Sequence, residues 1–380
     1  MTVKSFIKKC WKQTPLPVRE AVLALLCYTH AQKRFSVPEK QTVTFVLGAF
    51  RSSSGLAQGA RLYANKKQKD GAHVIRVDVT DAMVQRPDFP LPNGVLSLEQ
   101  ALTLPEGGTV VIHANPPQFQ LVLCKLGKQF LSNKRIIGYW AWELEEIPSL
   151  WVQALDYVDA VEVPSTFVRD AVSKHTTKEV TVVPHDVPVP ARRKERYAED
   201  GIVRCLYIFD MSSAFMRKNP LAALLAFSLA FKNSGIAELT FKIGNVQADP
   251  SAFDAFKNAC RKVSGVHIIT KVMTPEELTS LYLQHDIYLS LHRSEGYGLT
   301  IREAMLHGLH VVATGWSGNM DFMDEKLAHP VPYTLVPVFE TKGTFRGLNA
   351  RWAEADVNSA ANILKELQQT LKNSTKKYGI

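Results

Sequence analysis

The stretch Ser294-Glu-Gly-Tyr-Gly-Leu-Thr-Ile-Arg-Glu-Ala-Met-Leu-His-Gly-Leu-His-Val-Val-Ala-Thr-Gly-Trp-Ser-Gly-Asn-Met-Asp-Phe-Met323 contains two glycine-rich turns, each placed after a short apolar segment. The apolar segments, Asp286–Leu291 and Leu309–Ala313, are typical of buried strands, and Leu299–Leu306 between them predicts a helix. Glycines at the turns allow the backbone to approach a ligand closely. This order of strand, loop, helix, strand and loop predicts an open α/β sheet, in which ligands bind at the carboxyl ends of the strands.

Two carboxylates lie within this stretch, Glu295 in the first loop and Glu303 on the predicted helix, with seven residues between them. A carboxylate accepts hydrogen bonds from neighbouring hydroxyls, so the pair suits a polyhydroxylated ligand. The alternative is that Glu295 caps the helix and Glu303 is a solvated surface charge. The residues alone leave both readings open.

A second charged motif, Arg217-Lys218-Asn219-Pro220, follows a predicted strand at Val203–Phe209. Asn219 is a typical N-cap residue and Pro220 suits the first helical position. Two cations would then lie beside a helix N-terminus, which favours a bound anion. The alternative is a pair of solvated loop charges.

The segment from Trp140 to Trp151 contains three tryptophans and three glutamates, with Trp140, Trp142 and Glu143 closest to the end of a predicted strand at Arg135–Tyr139. Aromatic rings that have polar edges suit sugar binding. The alternative is a packed helix with a glutamate-rich first turn.

The Glu-x7-Glu stretch resembles the donor-binding signature of the retaining GT-B glycosyltransferases of family 4. The block that begins Gly138-Tyr-Trp-Ala-Trp-Glu resembles a bacterial, polysaccharide-type subset of that family, as does Trp352-Ala-Glu-Ala-Asp. The resemblance implies an α/β GT-B fold of two Rossmann-like domains facing across a cleft. It also implies a nucleotide-sugar as substrate, GDP- or UDP-linked, with no cofactor.

The same resemblance assigns roles to individual residues. Arg217 and Lys218 match the family's two cationic diphosphate positions, and they are predicted to be catalytic together with Glu295. The predicted donor-binding residues are Glu303, Gly296, Tyr297, Gly298, Leu299, Thr300, Ser317, Gly318, Asn319 and Val272, the last from a loop that would receive the nucleobase. The predicted acceptor or cleft residues are Gly55, Asn115, Trp140, Trp142 and Glu143.

Many family members place a histidine near the anomeric carbon of the donor sugar. Here His113 ends a predicted strand at Thr109–His113, and Asn115 lies closer to the loop. Either residue could take the position of the family's histidine, and a buried core imidazole is the alternative for His113.

Alternating strands and helices divide the chain into four predicted parts. Residues 1–40 form a basic helical leader, and residues 41–190 form an N-terminal acceptor domain. A proline-rich and then charged segment predicts the boundary. Residues 200–355 form the C-terminal donor domain, and residues 356–380 form a helix that crosses back to the first domain, as the resemblance implies.

The net charge is +9 over 380 residues, and the first 40 residues hold eight Lys and Arg against two Glu. This leader predicts contact with an anionic membrane surface, with a solvated tail as the alternative. No nucleic-acid-binding motif accompanies the charge. The five cysteines are odd in number and scattered, which favours a reducing compartment over a disulfide framework or a zinc site.

The resemblance implies a retaining glycosyltransferase that moves a sugar from a nucleotide-sugar to a saccharide or lipid-linked saccharide acceptor, and the two cations predict that it is metal-independent. The predicted context is bacterial surface polysaccharide synthesis, in the cytoplasm or on the inner face of the membrane. The sequence has no Asp-x-Asp motif, so no metal site is predicted. The alternatives are another GT-B enzyme, such as a nucleotide-sugar epimerase or hydrolase, and a noncatalytic sugar-nucleotide or polysaccharide-binding subunit.

Overall fold

The computed structural model describes residues 14, 16–31, 33–34, 43–85, 87–104, 107–191, 200–232, 234–323, 326–340, 345 and 348–377. The chain divides into two compact units. The first unit comprises residues 1–142 and 146–186, and the second comprises residues 143–145 and 187–380.

The first unit is built on a seven-stranded parallel sheet of order β3-β2-β1-β4-β5-β6-β7. Its strands are β1 (Val43–Gly48), β2 (His73–Asp78), β3 (Val95–Leu96), β4 (Thr109–His113), β5 (Arg135–Tyr139), β6 (Ala160–Val163) and β7 (Val180–Val182). All five residues of β4 are buried, as expected for a continuous apolar run that is covered on both faces of a parallel sheet. The predicted bounds of β4 and β5 are confirmed, whereas the two-residue β3 was too short to leave a periodic signal.

Helices cover this first sheet. They are α1 (Leu16–His30), α2 (Gly55–Lys69), α3 (Leu98–Leu102), α4 (Gln118–Leu131), α5 (Ser149–Ala154) and α6 (Thr166–Ser173). Helix α1 packs on α4, where the free thiols of Cys27 and Cys124 lie 4.0 Å apart. Just beyond α1, Arg34 forms a buried ion pair with Asp159 at 2.9 Å, which ties this end of the segment to the sheet.

The second unit contains a six-stranded parallel sheet of order β10-β9-β8-β11-β12-β13 and an antiparallel hairpin, β14-β15. The strands are β8 (Val203–Asp210), β9 (Ala237–Gly244), β10 (Val266–Ile269), β11 (Ile287–Ser290), β12 (His310–Thr314), β13 (Ala328–Val331), β14 (Tyr333–Pro337) and β15 (Arg351–Ala355). The hairpin was not predicted from the sequence.

The helices of the second unit are α7 (Phe215–Lys218), α8 (Pro220–Phe231), α9 (Pro250–Cys260), α10 (Pro275–Leu283), α11 (Leu299–Leu306) and α12 (Val357–Lys377). The observed α11 has the predicted bounds. A capping box begins α10, since the Thr274 hydroxyl accepts from Glu277 N and the Glu277 carboxylate accepts from Thr274 N. Helix α12 packs on α8, and the prediction that it crosses back to the first domain stays a prediction.

Both sheets have the strand order of a doubly wound Rossmann-like fold, because each first strand is flanked by the second and fourth strands of its own sheet. The order therefore reverses between β1 and β4 in the first unit and between β8 and β11 in the second. Crevices for ligands form at the carboxyl ends of the strands at such points. In the second unit, a ligand site is therefore expected at the loops that follow β8 and β11.

Two predictions concern residues outside the described ranges. Most of the basic leader, residues 1–13, lies outside them, and so does the charged part of the predicted domain boundary, residues 192–199. In the described part of the chain, no helix is long and apolar enough to cross a membrane.

Candidate functional site

The loop that follows β11 brings Glu295 to the carboxyl end of the second sheet, and α11 then begins directly after Gly298. Gly298 has a φ of +88°, and a Cβ added there would lie 3.1 Å from Ile301 Cδ1 and 3.2 Å from Asn319 Cβ. Only glycine fits both the left-handed backbone and this close approach. The predicted glycine turn therefore sets the direction in which the loop leaves the sheet.

Glu295 pairs with both cations of the Arg-Lys motif. Its Oε1 lies 2.5 Å from Lys218 Nζ and its Oε2 lies 3.2 Å from Arg217 Nη1. Burial alone raises the pKa of this carboxyl, but Lys218 and Arg217 outweigh burial, and its pKa falls to about 2. The structure thus brings together the three residues that were predicted to be catalytic.

Arg217 is only 3% exposed, and its guanidinium organises the loops around it. Nη1 donates to Ser294 O at 2.7 Å, Nη2 donates to Ser213 O at 3.1 Å, and Nη2 lies 3.4 Å from Glu143 Oε1. Nε has no hydrogen-bond partner among the described residues. A buried donor of this kind is available to an anionic ligand.

Asn219 occupies the predicted N-cap position of α8, but it lacks the side-chain hydrogen bond of a typical N-cap. Its backbone is left-handed, with φ of 48°, and its side chain makes no capping hydrogen bond. Instead, Nδ2 donates to Glu354 Oε1 at 3.2 Å. Pro220 does occupy the first turn of α8 as predicted, and the cations precede that helix on the four-residue α7.

The second glycine loop, Ser317–Asn319, braces the Glu295 loop. Ser317 Oγ accepts from Glu295 N at 2.8 Å, and Gly318 N donates to Glu295 O at 2.9 Å. The Glu295 carbonyl therefore takes the N–H of Gly318 itself, and the prediction that this loop contacts the donor stays a prediction. Ser317 adopts a φ of 78°, an uncommon conformation for a residue other than glycine.

His292 was not predicted from the sequence, yet it is fully buried behind this loop. Asn319 Nδ2 donates to Thr314 O at 3.0 Å, so the Asn319 Oδ1 faces His292 Nε2, 3.1 Å away, as an acceptor. His292 Nδ1 lies 3.2 Å from the Ser290 hydroxyl. Burial lowers the pKa of His292, which favours the neutral ring.

Glu303 is half-buried on α11 and accepts a hydrogen bond at 2.9 Å from the hydroxyl of Tyr282, which lies on α10. Burial raises its pKa to about 7, although the Tyr282 hydrogen bond favours the charged form. This environment excludes the alternative that Glu303 is a freely solvated charge. Tyr282 had no signal in the sequence, because nothing in its spacing indicates the partner 21 residues ahead.

The remaining predicted donor residues fall into two groups. Gly296 and Tyr297 are buried, and the Tyr297 ring packs 5.1 Å from that of Phe322. Thr300 Oγ1 accepts from the Tyr288 hydroxyl at 2.7 Å, and Leu299 beside it is half-buried at the start of α11. Val272, in contrast, is 72% exposed in the loop between β10 and α10.

Trp140 and Trp142 are core residues, at 0% and 1% exposure. Their rings pack 5.5 Å and 4.7 Å from that of Trp151, and Trp142 Nε1 donates to Glu146 O at 2.9 Å. This burial overturns the expectation that the two rings stack on a sugar, since neither has an open face. Glu143 groups with the second unit and joins the charge cluster through Arg217.

Asn115 also has a structural role. Its Nδ2 donates to Ala141 O at 2.6 Å, and its Oδ1 accepts from Ala141 N at 2.9 Å, so the amide is committed to one backbone unit. The amide keeps a second hydrogen and a second lone pair, so the assignment of Asn115 to the acceptor stays a prediction. Gly55 begins α2, is exposed, and has nothing near the position of a Cβ. Ser54 caps this helix by accepting from Ala57 N.

His113 is a buried core imidazole, which was the alternative predicted for it. It stacks 4.2 Å from the Tyr139 ring, lies edge-on to the Tyr63 ring at 4.9 Å, and is 1% exposed. Neither ring nitrogen has a hydrogen-bond partner among the described residues. Burial lowers the pKa of His113 well below its usual value, which keeps the ring neutral.

The described residues contain no group of three or more His, Cys, Asp or Glu side chains arranged to hold a metal ion.

Comparison with known proteins finds a family model that matches part of the second unit and solved structures that share the fold of the chain. Residues 218–340 match the family model described as glycosyl transferases group 1. No curated protein sequence matches the chain significantly.

Several solved structures share the fold at low sequence identity. A Staphylococcus aureus TarM variant in complex with fondaparinux, α-GlcNAc-glycerol and UDP is 15% identical, with a TM-score of 0.51 over 69% of this chain. The Anabaena protein HepE in complex with UDP and glucose is 12% identical, with a TM-score of 0.59 over 88% of this chain and 92% of its own. The Escherichia coli trehalose-6-phosphate protein bound to UDP-2-fluoro-glucose is 11% identical, with a TM-score of 0.54 over 88% of this chain and 96% of its own.

The chain spans about half of the TarM variant, at 48% of its length. The HepE and E. coli proteins are matched over nearly their whole length. These similarities show a GT-B fold with two Rossmann-like domains, which confirms the predicted fold class.

Proposed function

We propose that this protein is a retaining glycosyltransferase that moves a sugar from a nucleotide-sugar to a saccharide or lipid-linked saccharide acceptor in bacterial surface polysaccharide synthesis. The observation that carries the proposal is the cluster of Arg217, Lys218 and Glu295 at the point where the strand order of the second sheet reverses. The match of residues 218–340 to a glycosyltransferase family model supports it, and so do fold neighbours that hold UDP.

The charge on the donor explains why two cations stand here. A nucleotide-sugar leaves as a nucleoside diphosphate, so negative charge grows on the phosphates in the transition state. Arg217 and Lys218 would stabilise that charge, because preorganised cations in a site that excludes water act more strongly than they do in bulk solvent. The unpartnered Arg217 Nε is one donor ready for this role.

Glu303 is the proposed ligand of the ribose hydroxyls. Its carboxylate keeps acceptor capacity beyond the single hydrogen bond from Tyr282, and a carboxylate can accept from two neighbouring hydroxyls. Glu295 is the proposed contact to the hydroxyls of the transferred sugar, and its depressed pKa keeps it ionised. The two glutamates would thus hold the two polyhydroxylated parts of the donor.

The proposed reaction proceeds on one face of the sugar. The bond between the anomeric carbon and the phosphate oxygen breaks, the acceptor hydroxyl oxygen bonds to the same carbon, and the acceptor's proton passes to a leaving phosphate oxygen. Positive charge develops on the sugar ring while the diphosphate departs, and no protein nucleophile is needed. Retention of the anomeric configuration in the product is the test of this step.

We also propose that transfer is independent of metal ions, because Arg217 and Lys218 supply the positive charge that a cation would bring to the diphosphate. Addition of EDTA should leave the transfer rate unchanged. Loss of transfer that magnesium restores would refute this part of the proposal.

Contact with the inner face of a membrane is a further part of the proposal. It is supported by the basic leader and by apolar side chains that α1 leaves exposed, including Leu25 at 63%. Interfacial helices bind anionic lipids through such apolar and basic groups. Removal of residues 1–35 should reduce binding to anionic vesicles, and equal binding by both forms would refute it.

The decisive experiment begins with a thermal-shift panel of UDP- and GDP-linked sugars, because a donor that binds the folded state raises the melting temperature. The donor that gives the largest shift is then incubated with saccharide and lipid-linked acceptors, and the product is identified by mass spectrometry. Sugar transfer is the expected result. Donor consumption that needs no acceptor indicates an epimerase or hydrolase, and binding without turnover indicates a noncatalytic subunit.

A further inference from the structure

Arg217 and Lys218 stand on a segment that cannot fix its own geometry. Helix α7 has only four residues, Phe215–Lys218, and left-handed residues bound it, Ala214 at a φ of 60° and Asn219 at a φ of 48°. A single helical turn is unstable by itself, and residues other than glycine are disfavoured at positive φ. The position of both cations must therefore be imposed by neighbouring elements.

Arg293 fixes much of the position of the two cations. The last three carbonyl groups of α7 all accept hydrogen bonds from outside the helix, and Arg293 is the main donor. Arg293 Nη1 donates to Met216 O at 2.5 Å, and Arg293 N donates to Arg217 O at 2.7 Å. The Tyr207 hydroxyl donates to Lys218 O. Carbonyl groups at a helix C-terminus lack partners within the helix, so these contacts satisfy what the short turn leaves open. Two of the three come from one arginine.

Arg293 is itself held by β15. Glu354 Oε2 accepts from Arg293 Nε at 2.6 Å, and the guanidinium lies 5.4 Å from the centre of the Trp352 ring. The backbone joins in, since Ala353 N donates to Arg293 O at 2.9 Å. An arginine fixed by an ion pair, a ring and a backbone hydrogen bond has little freedom to change rotamer.

Glu354 also reaches the other boundary of α7. While Oε2 accepts from Arg293, Oε1 accepts from Asn219 Nδ2 at 3.2 Å. One carboxylate therefore connects the arginine that binds the carbonyls of α7 with the left-handed residue at which α7 ends. Trp352 and Glu354 belong to the Trp-Ala-Glu-Ala-Asp motif, which lies outside the matched residues 218–340.

We infer that Arg293 and Glu354 form a positioning pair that holds Arg217 and Lys218 in place for the donor diphosphate. The inference rests on the proposed function and adds residues of the hairpin to its machinery. Neither residue is a catalytic residue, because Arg293 binds the backbone of α7 and Glu354 acts through Arg293 and Asn219. The expected consequence of losing the pair is a slower chemical step rather than a loss of fold.

The test compares Glu354→Ala with Glu238→Ala. Glu238 is a matched control, since it also pairs with an arginine, Arg204 at 3.3 Å, and its side chain is 37% exposed, as is that of Glu354. For each variant, kcat and KM for transfer are measured with the donor selected by the thermal-shift panel, and UDP and GDP binding is measured by calorimetry. Melting temperatures report on the fold.

We expect Glu354→Ala to lower kcat about tenfold and KM to change much less, because misplaced catalytic groups reduce the rate of the chemical step. Glu354→Gln, which retains hydrogen-bonding atoms without the charge, should lower kcat less than Glu354→Ala. In an Arg293→Met background, Glu354→Ala should have little additional effect on kcat, since the pair acts as a unit. Glu238→Ala should match wild type.

Equal kcat for Glu354→Ala and Glu238→Ala would overturn the inference and leave the proposed function standing. Additive effects of Arg293→Met and Glu354→Ala would also overturn it, because two independent losses do not describe a positioning pair. A wild-type chain that binds neither UDP nor GDP and transfers no sugar overturns the proposed function, and the inference falls with it.

Discussion

Two short stretches of the chain have similar sequence features, but one packs into a core and the other forms the candidate site. Trp140–Trp151 and Ser294–Asn319 both combine aromatic residues with glutamates and both resemble sugar-binding segments. In the first stretch the tryptophans pack on one another inside the first unit. In the second, Glu295 is held by two cations at the end of a sheet.

The difference follows from the chemistry of the side chains. A tryptophan gains free energy from burial whether a sugar or another ring covers it, so its presence does not distinguish a core from a site. A buried carboxylate needs partners of opposite charge, and a buried lysine or arginine needs the same. Motifs of charged residues on separate elements therefore predict a meeting point more reliably than aromatic residues predict a binding surface.

The largest effect expected from this comparison concerns stability. Trp142→Ala should lower the free energy of unfolding of the first unit by about 3–5 kcal/mol, because it removes a large ring from a packed core. Chemical denaturation measures this change, and Trp142→Phe should restore much of the loss. An unchanged stability together with a raised KM for the acceptor would show instead that the ring binds sugar.

The next effect concerns activity. Lys218→Ala should lower the transfer rate at least about tenfold, equivalent to about 1.4 kcal/mol in the barrier, because a cation is lost beside the departing diphosphate. Steady-state kinetics measures it. Lys257→Ala is the control, since Lys257 is a partly exposed lysine on α9 that pairs with Asp254. A near-normal rate for Lys218→Ala would contradict the site assignment.

A third prediction uses the pKa of Glu303. Donor binding should weaken about tenfold between pH 8 and pH 6, because protonation of a carboxyl with a pKa of about 7 removes an acceptor for the ribose hydroxyls. Calorimetry of UDP at several pH values measures it, and Glu303→Gln should remove this part of the pH dependence. The same pH dependence in wild type and variant would exclude Glu303 as the titrating group.

The same titration predicts a change in stability with pH. The folded pKa of Glu303, about 7, lies above its ordinary value of 4.5, so the folded state holds more protons between these values and stability falls as pH rises through the interval. Glu303→Gln mimics the protonated form. The melting temperature of Glu303→Gln minus that of wild type should therefore be greater at pH 8 than at pH 5. A difference in melting temperature that does not vary with pH would contradict the raised pKa.

Some residues of the candidate site were identified from the sequence, and others were not. Glu295, Arg217 and Lys218 were identified from local motifs because each motif carries a physical signal, a glycine turn in one case and cations before a helix in the other. His292, Tyr282, Arg293 and Glu354 were missed, because each acts through a partner from another element and sequence spacing does not encode such contacts. Nothing in the sequence indicated that the Glu295 carbonyl takes the N–H of Gly318 or that the Asn115 amide bonds to the backbone of Ala141.

The sequence by itself determined the alternating strands and helices of two parallel-sheet domains, since continuous apolar runs between turn residues encode buried parallel strands locally. It also determined which charged motifs stand at the ends of strands. Only the tertiary structure decided that the tryptophans are core and that Glu295 lies between two cations. It also decided that Glu354 of the hairpin supports the short helix α7, which carries those cations. These outcomes depend on which distant elements pack together, and packing is a property of the folded chain as a whole.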